Sequence, residues 1–527
     1  MPSHRLSALH RAASRRDFLR HAAFASSLAV IGSSAARAQS NGGAQQISTD
    51  PSDEVITMSA TKLAGLIRAK KISALEAVDA YIERQIAVND KLNAVVTNSF
   101  ARARAEAKAL DEKAAKGEFV GPLHGVPMTI KDSLDTEGVV STGGTMGRQT
   151  YVPAKDATCV ARVRKAGAIL LGKTNTPEFT LGGLAGISTA SNLLFGGSHN
   201  PYDLTRSTSG SSGGAGAIVA AGGAAFDIGS DWGGSIRGPS HNNGIAGIKP
   251  TSVRVPRTGH IVDYGGVFDL WQQLGPMCRR VEDLVLITPI ISGPDYRDAA
   301  CAPVPWANPA AVDLKKLRVA FCADNGGEGR GATDDDTKKT VRQAAKWLEG
   351  VVASIAEDAP TSTLKALSET RSKLTGGDAW AFYKRIADKW GTKNFSPSVT
   401  ERMKQMTPIS TAEYAEWWEK HDEAKSKLLE WMTAYDVFIC PVSGKPAQPI
   451  DAEPGTGGFG GPGFGWQYTG VFNSTGWPST VVRCGSSADG RLPIGLQVVC
   501  PPWREDISLA VAAYLESRSG GWQKPPV

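Results

Sequence analysis

The sequence predicts an α/β protein in which one large β-sheet is covered by helices. Short apolar runs of strand length alternate with helical stretches along the chain, and this alternation is typical of such folds. The chain has 527 residues, of which 41% are hydrophobic, so it can bury one large core. No internal repeat or change of composition divides residues 39–527, and we therefore expect a single domain there.

The predicted elements begin with a helix. Ser73 and Glu76 form a capping box, and Leu75, Val78 and Ile82 follow at helical spacing. Buried strands are predicted at residues 126–130, 168–171, 224–228, 317–321, 437–440 and 496–499. Further helices are predicted at residues 157–166, 213–221, 281–291, 335–349 and 412–434. The stretch 303–314 indicates a surface connection between them.

Residues 1–38 resemble a targeting segment and not a folded element. The paired Arg15 and Arg16 precede a weakly apolar stretch at residues 22–31, and Ala36 and Ala38 supply the small residues of a cleavage site. The apolar stretch is too short to remain as a membrane-spanning helix. We therefore predict a twin-arginine signal peptide and a mature protein that is periplasmic or secreted, without a membrane anchor after cleavage.

The formal net charge of +6 is concentrated in this segment, which holds six arginines and one acidic residue. Without it the chain has 52 basic and 51 acidic residues, a net charge of +1. A near-neutral protein without runs of Lys or Arg has no electrostatic footprint for nucleic acid. We expect a small-molecule partner and no nucleic acid, and the sequence leaves a homodimer open.

No pattern in the chain predicts a metal or a cofactor. The seven cysteines are scattered without zinc-like spacing, and no H-E-x-x-H sequence occurs. Residues 167–174 fit the expression of a phosphate-binding loop, but apolar residues would fill that loop. Residues 210–214 fit the G-x-S-x-G elbow of α/β-hydrolases, which needs a downstream acid and then a histidine. The last histidine, His421, lies among Glu and Lys residues that indicate a solvated helix.

A serine preceded by two glycines marks one candidate catalytic position. Ser235 follows the predicted strand 224–228, where glycine allows a sharp turn. The N–H groups of Trp232, Gly233, Gly234 and Ser235 could converge there on an oxyanion. A tight surface turn is the alternative, and the three residues alone favour it.

Two further positions complete the pattern. Ser211 and Ser212 precede Gly213 at the start of a small-residue helix, where a hydroxyl alone indicates a helix cap. Lys131 ends an apolar strand, where a lysine alone more often emerges into solvent. Neither position by itself predicts catalysis.

Together the three pieces resemble the amidase signature family. Residues 122–132, 166–179, 231–237, 247–251 and 491–497 agree with strings of that family in order and spacing, and Ser211 and Ser235 are 24 residues apart, as in the family pattern. The resemblance implies a large mixed β-sheet covered on both faces by helices. It also implies a triad of Lys131, a cis-peptide serine at Ser211 and the nucleophile Ser235.

The resemblance further implies acyl transfer from an amide to Ser235, followed by hydrolysis without a cofactor. Ser212, Asp231 and Arg237 would support the site. An esterase or carbamate hydrolase on the same triad is the alternative function. A component of a glutamine amidotransferase that acts with tRNA, or a silent binding protein, fits the export signal or the intact triad less well.

Aromatic residues predict a neutral, largely apolar substrate, with an aryl amide as the first choice. Phe459, Phe464, Trp466 and Tyr468 lie in or beside the glycine-rich run 455–465, which resembles a mobile lid, and Trp232 would add a flat wall beside the nucleophile. Other aromatic residues lie in two helical segments, Trp380, Phe382, Tyr383 and Trp390 in one and Trp417 and Trp418 in the other. Part of this second group is expected in the core.

Overall fold

The computed structural model describes residues 51–184, 189–262, 271–405, 407–451 and 465–527. The predicted signal peptide at residues 1–38 lies outside these ranges, as does most of the glycine-rich run 455–465. All further structural statements concern the described residues.

One eleven-stranded sheet forms the centre of the molecule. Its strands are β1 (Val95–Asn98), β2 (Pro127–Lys131), β3 (Ile169–Thr174), β8 (Phe226–Asp231), β9 (Ala246–Lys249), β10 (Gln273–Cys278), β11 (Arg318–Phe321), β12 (Ser354–Glu357), β13 (Val437–Pro441), β14 (Ser479–Ser486) and β15 (Pro493–Val499). Two small hairpins pair β4 (Ser191–Asn192) with β5 (Gly196–Gly197) and β6 (His199–Asn200) with β7 (Asp203–Ser207).

The large sheet has the order β1-β3-β2-β8-β10-β9-β14-β15-β13-β11-β12. Strands β3, β2 and β8 are parallel neighbours, as are β13, β11 and β12. The strands between these two groups are antiparallel. The sheet is therefore mixed, and the predicted fold class is confirmed.

Helices contribute the rest of the core. They are α1 (Pro51–Thr57), α2 (Ala60–Arg68), α3 (Ala74–Leu92), α4 (Phe100–Ala115), α5 (Thr158–Lys165), α6 (Gly213–Ala220), α7 (Arg237–Asn242), α8 (Val281–Ile291), α9 (Asp335–Leu348), α10 (Thr361–Gly376), α11 (Ala381–Lys389), α12 (Pro397–Gln405), α13 (Thr411–Met432), α14 (Gly470–Ser474) and α15 (Glu505–Ser519). The Ser73–Glu76 capping box is formed, since each side chain bonds to the other's backbone N–H. None of the described helices combines the length and the apolarity that a membrane span requires.

The sheet order decides where the candidate site lies. Strands β2 and β8 pair in parallel, with Ile130 opposite Ile228, so their carboxyl ends meet at the same edge of the sheet. Lys131 ends the first strand and Asp231 ends the second. Ligand sites of α/β sheets lie outside such carboxyl ends. The chain that follows β8 therefore turns beside the lysine.

Candidate active site

Lys131 occupies a dry position at the end of β2. Its side chain is fully buried, and its Nζ lies 2.6 Å from Ser211 Oγ and 2.9 Å from Ser230 Oγ. The carbonyl oxygen of Ser230 is 3.4 Å from the same nitrogen. Lysine is rarely fully buried, and here three oxygens hold the amine in place. The prediction that this lysine and Ser211 belong to one site agrees with their direct contact.

Burial lowers the pKa of Lys131 to about 7, although the nearby carboxylates Asp231 and Asp227 raise it. The cause is desolvation, which disfavours the charged ammonium. An amine that titrates near neutrality can accept a proton and return it during a reaction. Lys131 thus has the acid–base behaviour that a proton acceptor requires.

Ser211 and Ser212 connect the lysine to the second serine segment. The Gly210–Ser211 peptide bond is cis, at the serine where the family resemblance implies a cis peptide. The Ser212 N–H donates to the carbonyl of Ser235 at 3.1 Å, and the Ser212 hydroxyl donates to the Ser230 carbonyl at 3.3 Å. These contacts bring the two predicted serine segments side by side.

Residues 232–235, which we call the serine turn, connect β8 to α7. Gly234 has a φ of +124°, which side chains rarely adopt, and a Cβ there would lie 2.5 Å from the Thr469 hydroxyl oxygen. The Asp231 carboxylate accepts the N–H groups of Gly234 at 2.8 Å and Ile236 at 3.0 Å. Ser235 remains partly exposed. The turn is therefore held from inside by a buried carboxylate and presents its serine outward.

The predicted oxyanion donors differ in availability. The N–H of Gly234 bonds to Asp231, so it is already occupied. Within the described ranges, the N–H groups of Gly233 and Ser235 make no hydrogen bond. Gly233 and Ser235 are thus better placed than Gly234 to bind an oxyanion, because their donors need not leave another acceptor.

A buried ion pair anchors the turn to the sheet. Arg237 and Asp231 are both fully buried and bond through two nitrogens, at 3.1 and 3.0 Å. Arg237 also donates to Gln497 at 3.0 Å, and the Asn473 amide donates to Asp231 at 2.8 Å. Burial alone would raise the pKa of Asp231, but Arg237 and these hydrogen bonds hold it well below its usual range. Asp231 and Arg237 therefore occupy the supporting positions that the sequence predicts.

Sequence reasoning missed a second set of contacts to the lysine. The buried Ser230 hydroxyl lies between Lys131 Nζ and His260 Nε2, which is 3.0 Å away. Burial first, and then the charge of Lys131, lower the pKa of His260 to about 3. The imidazole is therefore neutral at physiological pH. Ser230 precedes the quoted motif directly, whereas no local pattern singles out His260.

Aromatic side chains line the neighbourhood of the serine turn. The Trp232 ring is partly buried and lies 6.2 Å from that of Trp271, which lies 5.9 Å from Trp418. They belong to an apolar cluster with α11, where Trp380 and Tyr383 are buried. Trp232 thus flanks the turn as predicted, and part of the helical aromatic group packs in the core.

The predicted lid requires a correction for two of its residues. Trp466 is fully buried and packs against Phe438 and Tyr468, with ring centroids 6.3 and 4.8 Å away. Tyr468 is also buried, and its hydroxyl bonds to Thr333 at 2.7 Å. Their neighbours in sequence are glycines, but residues distant in the chain surround them. Phe459 and Phe464 lie outside the described residues.

The alternative motifs do not form the sites they could have indicated. Residues 169–174 of the loop-like expression form strand β3, where Lys173 is fully buried and bonds to Thr136 and Ser141 at 2.9 Å. His421 is buried and not solvated as predicted, because Thr370 and the Ser474 carbonyl enclose it. No described group of His, Cys, Asp and Glu could hold a metal ion, and all seven cysteines are free.

Known proteins with similar sequences were compared with the chain. The amidase family profile matches residues 76–509. Fatty-acid amide hydrolase 2-B of Danio rerio is 32% identical and is aligned over 90% of this chain and 91% of its own length. Indoleacetamide hydrolase of Bradyrhizobium diazoefficiens is 32% identical over 89% and 88%. A component of the glutamyl-tRNA(Gln) amidotransferase of Moorella thermoacetica is 34% identical over 88% and 97%.

Solved structures resemble the whole fold. That of 6-aminohexanoate cyclic dimer hydrolase, bound to its substrate, superimposes with a TM-score of 0.76 and 28% sequence identity. The match covers 89% of this chain and 99% of the other. The similarity therefore extends over the sheet, its helices and the serine turn together.

Proposed function

The chain belongs to the amidase family and acts on carbon–nitrogen amide bonds, and from this premise we propose that it uses Ser235 as the nucleophile of a Ser235–Ser211–Lys131 relay. The observation that carries the proposal is the 2.6 Å contact between Lys131 Nζ and Ser211 Oγ. It is made by a fully buried lysine whose pKa burial lowers to about 7. A half-neutral amine hydrogen-bonded to a serine is suited to withdraw protons from hydroxyl groups.

In the first half of the reaction, Ser235 Oγ attacks the amide carbon. Its proton moves to Ser211 Oγ, and the Ser211 proton moves to neutral Lys131. The negative charge that develops on the carbonyl oxygen faces the N–H groups of Gly233 and Ser235, with Trp232 at the start of the same turn. Preorganised donors of this kind each contribute about 10²–10³ in rate.

In the second half, the carbon–nitrogen bond breaks and the acyl group remains on Ser235. The leaving nitrogen takes a proton from Ser211, which takes one from the Lys131 ammonium. Water then attacks the acyl-enzyme, and the same relay removes its proton and returns one to Ser235. Because an amine leaves only after it is protonated, a relay that delivers a proton to the nitrogen favours amides over esters and carbamates.

A neutral substrate with an aromatic or long apolar group fits the surroundings of the turn. Trp232 lies beside the nucleophile, and Trp271 and Trp418 extend the same aromatic surface. Ligand sites are mostly apolar with few polar groups. Two relatives are named for a fatty-acid amide and an indoleacetamide, both of which carry large apolar groups. We take aryl amides as the preferred class.

The relative that serves in tRNA amidation suggests a different partner. Residues 39–527 have a net charge of +1, and binding to nucleic acid depends strongly on clustered Lys and Arg. This charge supports a small-molecule substrate without a nucleic-acid partner.

A substrate panel tests the proposal. Anilides, indole-3-acetamide and a long-chain primary amide are compared with glutamine and acetamide, each beside the matching ester or carbamate. We expect the highest kcat/KM for an aryl amide and a lower value for its ester. A higher kcat/KM for glutamine or acetamide than for every aryl amide would show that the substrate class is wrong, although the relay could still be right.

The relay is tested separately with Ser235→Ala, which should fold like the wild type and lose at least about 10³ in kcat, as removal of a nucleophile does. Ser212→Ala is the matched control, because it removes a neighbouring hydroxyl that the relay does not use. If Ser235→Ala keeps more than about a tenth of the wild-type rate, Ser235 is not the nucleophile.

A further inference from the structure

Arg371 is a buried cation beside the serine turn. It lies on α10 with 3% of its surface exposed, and its Nη2 donates to the Trp232 carbonyl at 2.9 Å. Its guanidinium lies over the rings of Trp232 and Trp271, at 4.8 and 5.4 Å from their centroids. Within the part of the chain that the structure describes, it forms no salt bridge, and its Nε makes no hydrogen bond.

An unpaired buried cation is costly, because burial removes the water that solvates its charge. The charged groups that face Arg371 are Asp231 and Arg237, which are already paired with each other. Burial lowers the pKa of Arg371 to about 10, so the guanidinium stays protonated at neutral pH. The fold therefore keeps a positive charge behind the turn without a resident anion to match it.

The position of this charge relative to the backbone gives it a use. The carbonyl of Trp232 and the N–H of Gly233 belong to the same peptide group, and in a trans peptide they point in opposite directions. A cation on the oxygen therefore withdraws electron density from the N–H on the other side. The N–H of Gly233 is one of the two turn donors that make no hydrogen bond in the described residues.

The other carbonyls of the serine turn accept from neutral donors. Those of Gly233, Gly234 and Ser235 accept, in that order, from the Thr469 hydroxyl at 2.7 Å, the Gly238 N–H at 2.6 Å and the Ser212 N–H at 3.1 Å. The charged contact thus falls on the peptide whose N–H is available to a ligand.

We propose that Arg371 is a positioning residue that polarises the Trp232–Gly233 peptide and so strengthens the oxyanion site. This proposal rests on the proposed function, since it assigns the oxyanion to the serine turn. The negative charge of the tetrahedral intermediate supplies, transiently, the anion that the buried guanidinium lacks. The interaction grows as charge develops on the substrate oxygen, so it stabilises the transition state more than the bound substrate.

The test compares Arg371→Met, Arg371→Gln and Arg371→Lys on a neutral aryl amide. We expect Met and Gln to lower kcat by about 10- to 100-fold with KM changed less than about threefold, and Lys to recover at least part of kcat. Gln keeps a donor for the Trp232 carbonyl and lacks the charge, so a wild-type kcat for Arg371→Gln would overturn the proposal. An aryl boronic acid, which forms an anionic tetrahedral adduct on a serine, should lose affinity in parallel with kcat.

Arg483→Met is the matched control. Arg483 is a buried arginine without a salt bridge in the described residues, and its guanidinium lies 5.4 Å from the Tyr202 ring centroid, away from the turn. If it lowers kcat as much as Arg371→Met does, the effect comes from removing any buried arginine and the proposal fails. A loss confined to substrates that carry a carboxylate, or confined to KM, would assign Arg371 to substrate binding instead.

The failure of this inference differs from failure of the proposed function. Arg371→Met should still react at Ser235 with a serine-directed fluorophosphonate, more slowly than the wild type. If Ser235→Ala turned over substrate normally, the relay itself would be wrong. If Ser235→Ala is inactive and Arg371→Gln has the wild-type kcat, only the role of Arg371 is wrong.

Discussion

At the scale of single residues, the site depends on how far Lys131 is kept from water. Burial lowers its pKa from 10.5 to about 7, a change of about 5 kcal/mol in favour of the neutral amine. Ser211 and Ser230 surround the nitrogen with hydroxyl oxygens, which can serve as donors or acceptors, so either protonation state finds partners. A reversible proton acceptor results from the position of an ordinary side chain.

This position predicts how activity depends on pH. Neutral Lys131 accepts the proton, so kcat/KM should rise as pH increases through about 7 and fall about tenfold per unit below about pH 6. His260, whose pKa is lowered to about 3, and Asp231, whose pKa lies well below its usual range, keep their charge states in this interval. The measurement is kcat/KM from pH 5 to pH 9, with Lys131→Ala expected to lose most of the rate.

Asp227 supplies the control for this pH profile. Burial raises its pKa to about 7, and it faces Lys131 from the neighbouring strand. Its negative charge raises the pKa of the lysine, so Asp227→Asn should move the acidic limb to lower pH while the enzyme stays active. A limb that disappears in Asp227→Asn would identify the carboxyl group, and not the lysine, as its source.

At the scale of elements, the junction of β8 and α7 holds the serine turn through one ion pair. Asp231 accepts hydrogen bonds from three N–H groups of the turn and the following helix, and Arg237 binds the same carboxylate. Both are inaccessible to solvent. A small number of backbone contacts therefore depends on a single buried carboxylate, which makes this junction sensitive to one substitution.

We predict that Asp231→Asn destabilises the protein by about 3–5 kcal/mol, because it leaves the Arg237 charge buried without its partner. The measurement is the shift in the midpoint of chemical denaturation. Glu357→Gln is the control, since its pair with Arg342 is about half exposed and such pairs contribute little. Equal shifts for the two variants would contradict the structural role of Asp231. The double variant Asp231→Asn/Arg237→Gln should lose less than the sum of the single losses.

At the scale of the whole molecule, one mixed sheet brings together strands from residue 95 to residue 499. Residues 1–38 lie outside the described part of the chain, and their role stays a prediction. We propose that they direct export through the twin-arginine route and that the amidase works in a periplasmic or extracellular space. Free cysteines throughout the described fold are compatible with folding before export.

Export is tested by changing Arg15 and Arg16 together to Lys. In a host with the twin-arginine pathway, the variant should accumulate as the longer precursor in the cytoplasm, whereas the wild type should reach the periplasm in a shortened form. Cell fractionation with an antibody to the mature protein measures both. If the variant is exported like the wild type, residues 1–38 have another role.

Residues close together in the chain were sufficient to predict the elements that surround the site. The strand ending at Lys131, the helix after Ser212 and the Gly233–Gly234–Ser235 turn all follow from local patterns. Such features depend on backbone conformation and hydrogen bonds within a few residues, which neighbouring side chains largely set. Strands β9, β10 and β14 were not predicted, because glycine, proline and polar residues interrupt their apolar pattern.

Contacts between distant residues had to come from the tertiary structure. His260 reaches Ser230 across 30 residues and Arg371 reaches Trp232 across 139, and no local pattern connects either pair. The lid prediction was wrong for Trp466 and Tyr468 for the same reason, since Phe438 and Thr333 enclose them from other elements. The pKa of Lys131 also depends on the parallel pairing of β2 with β8, because the strand order decides which groups exclude water from the amine.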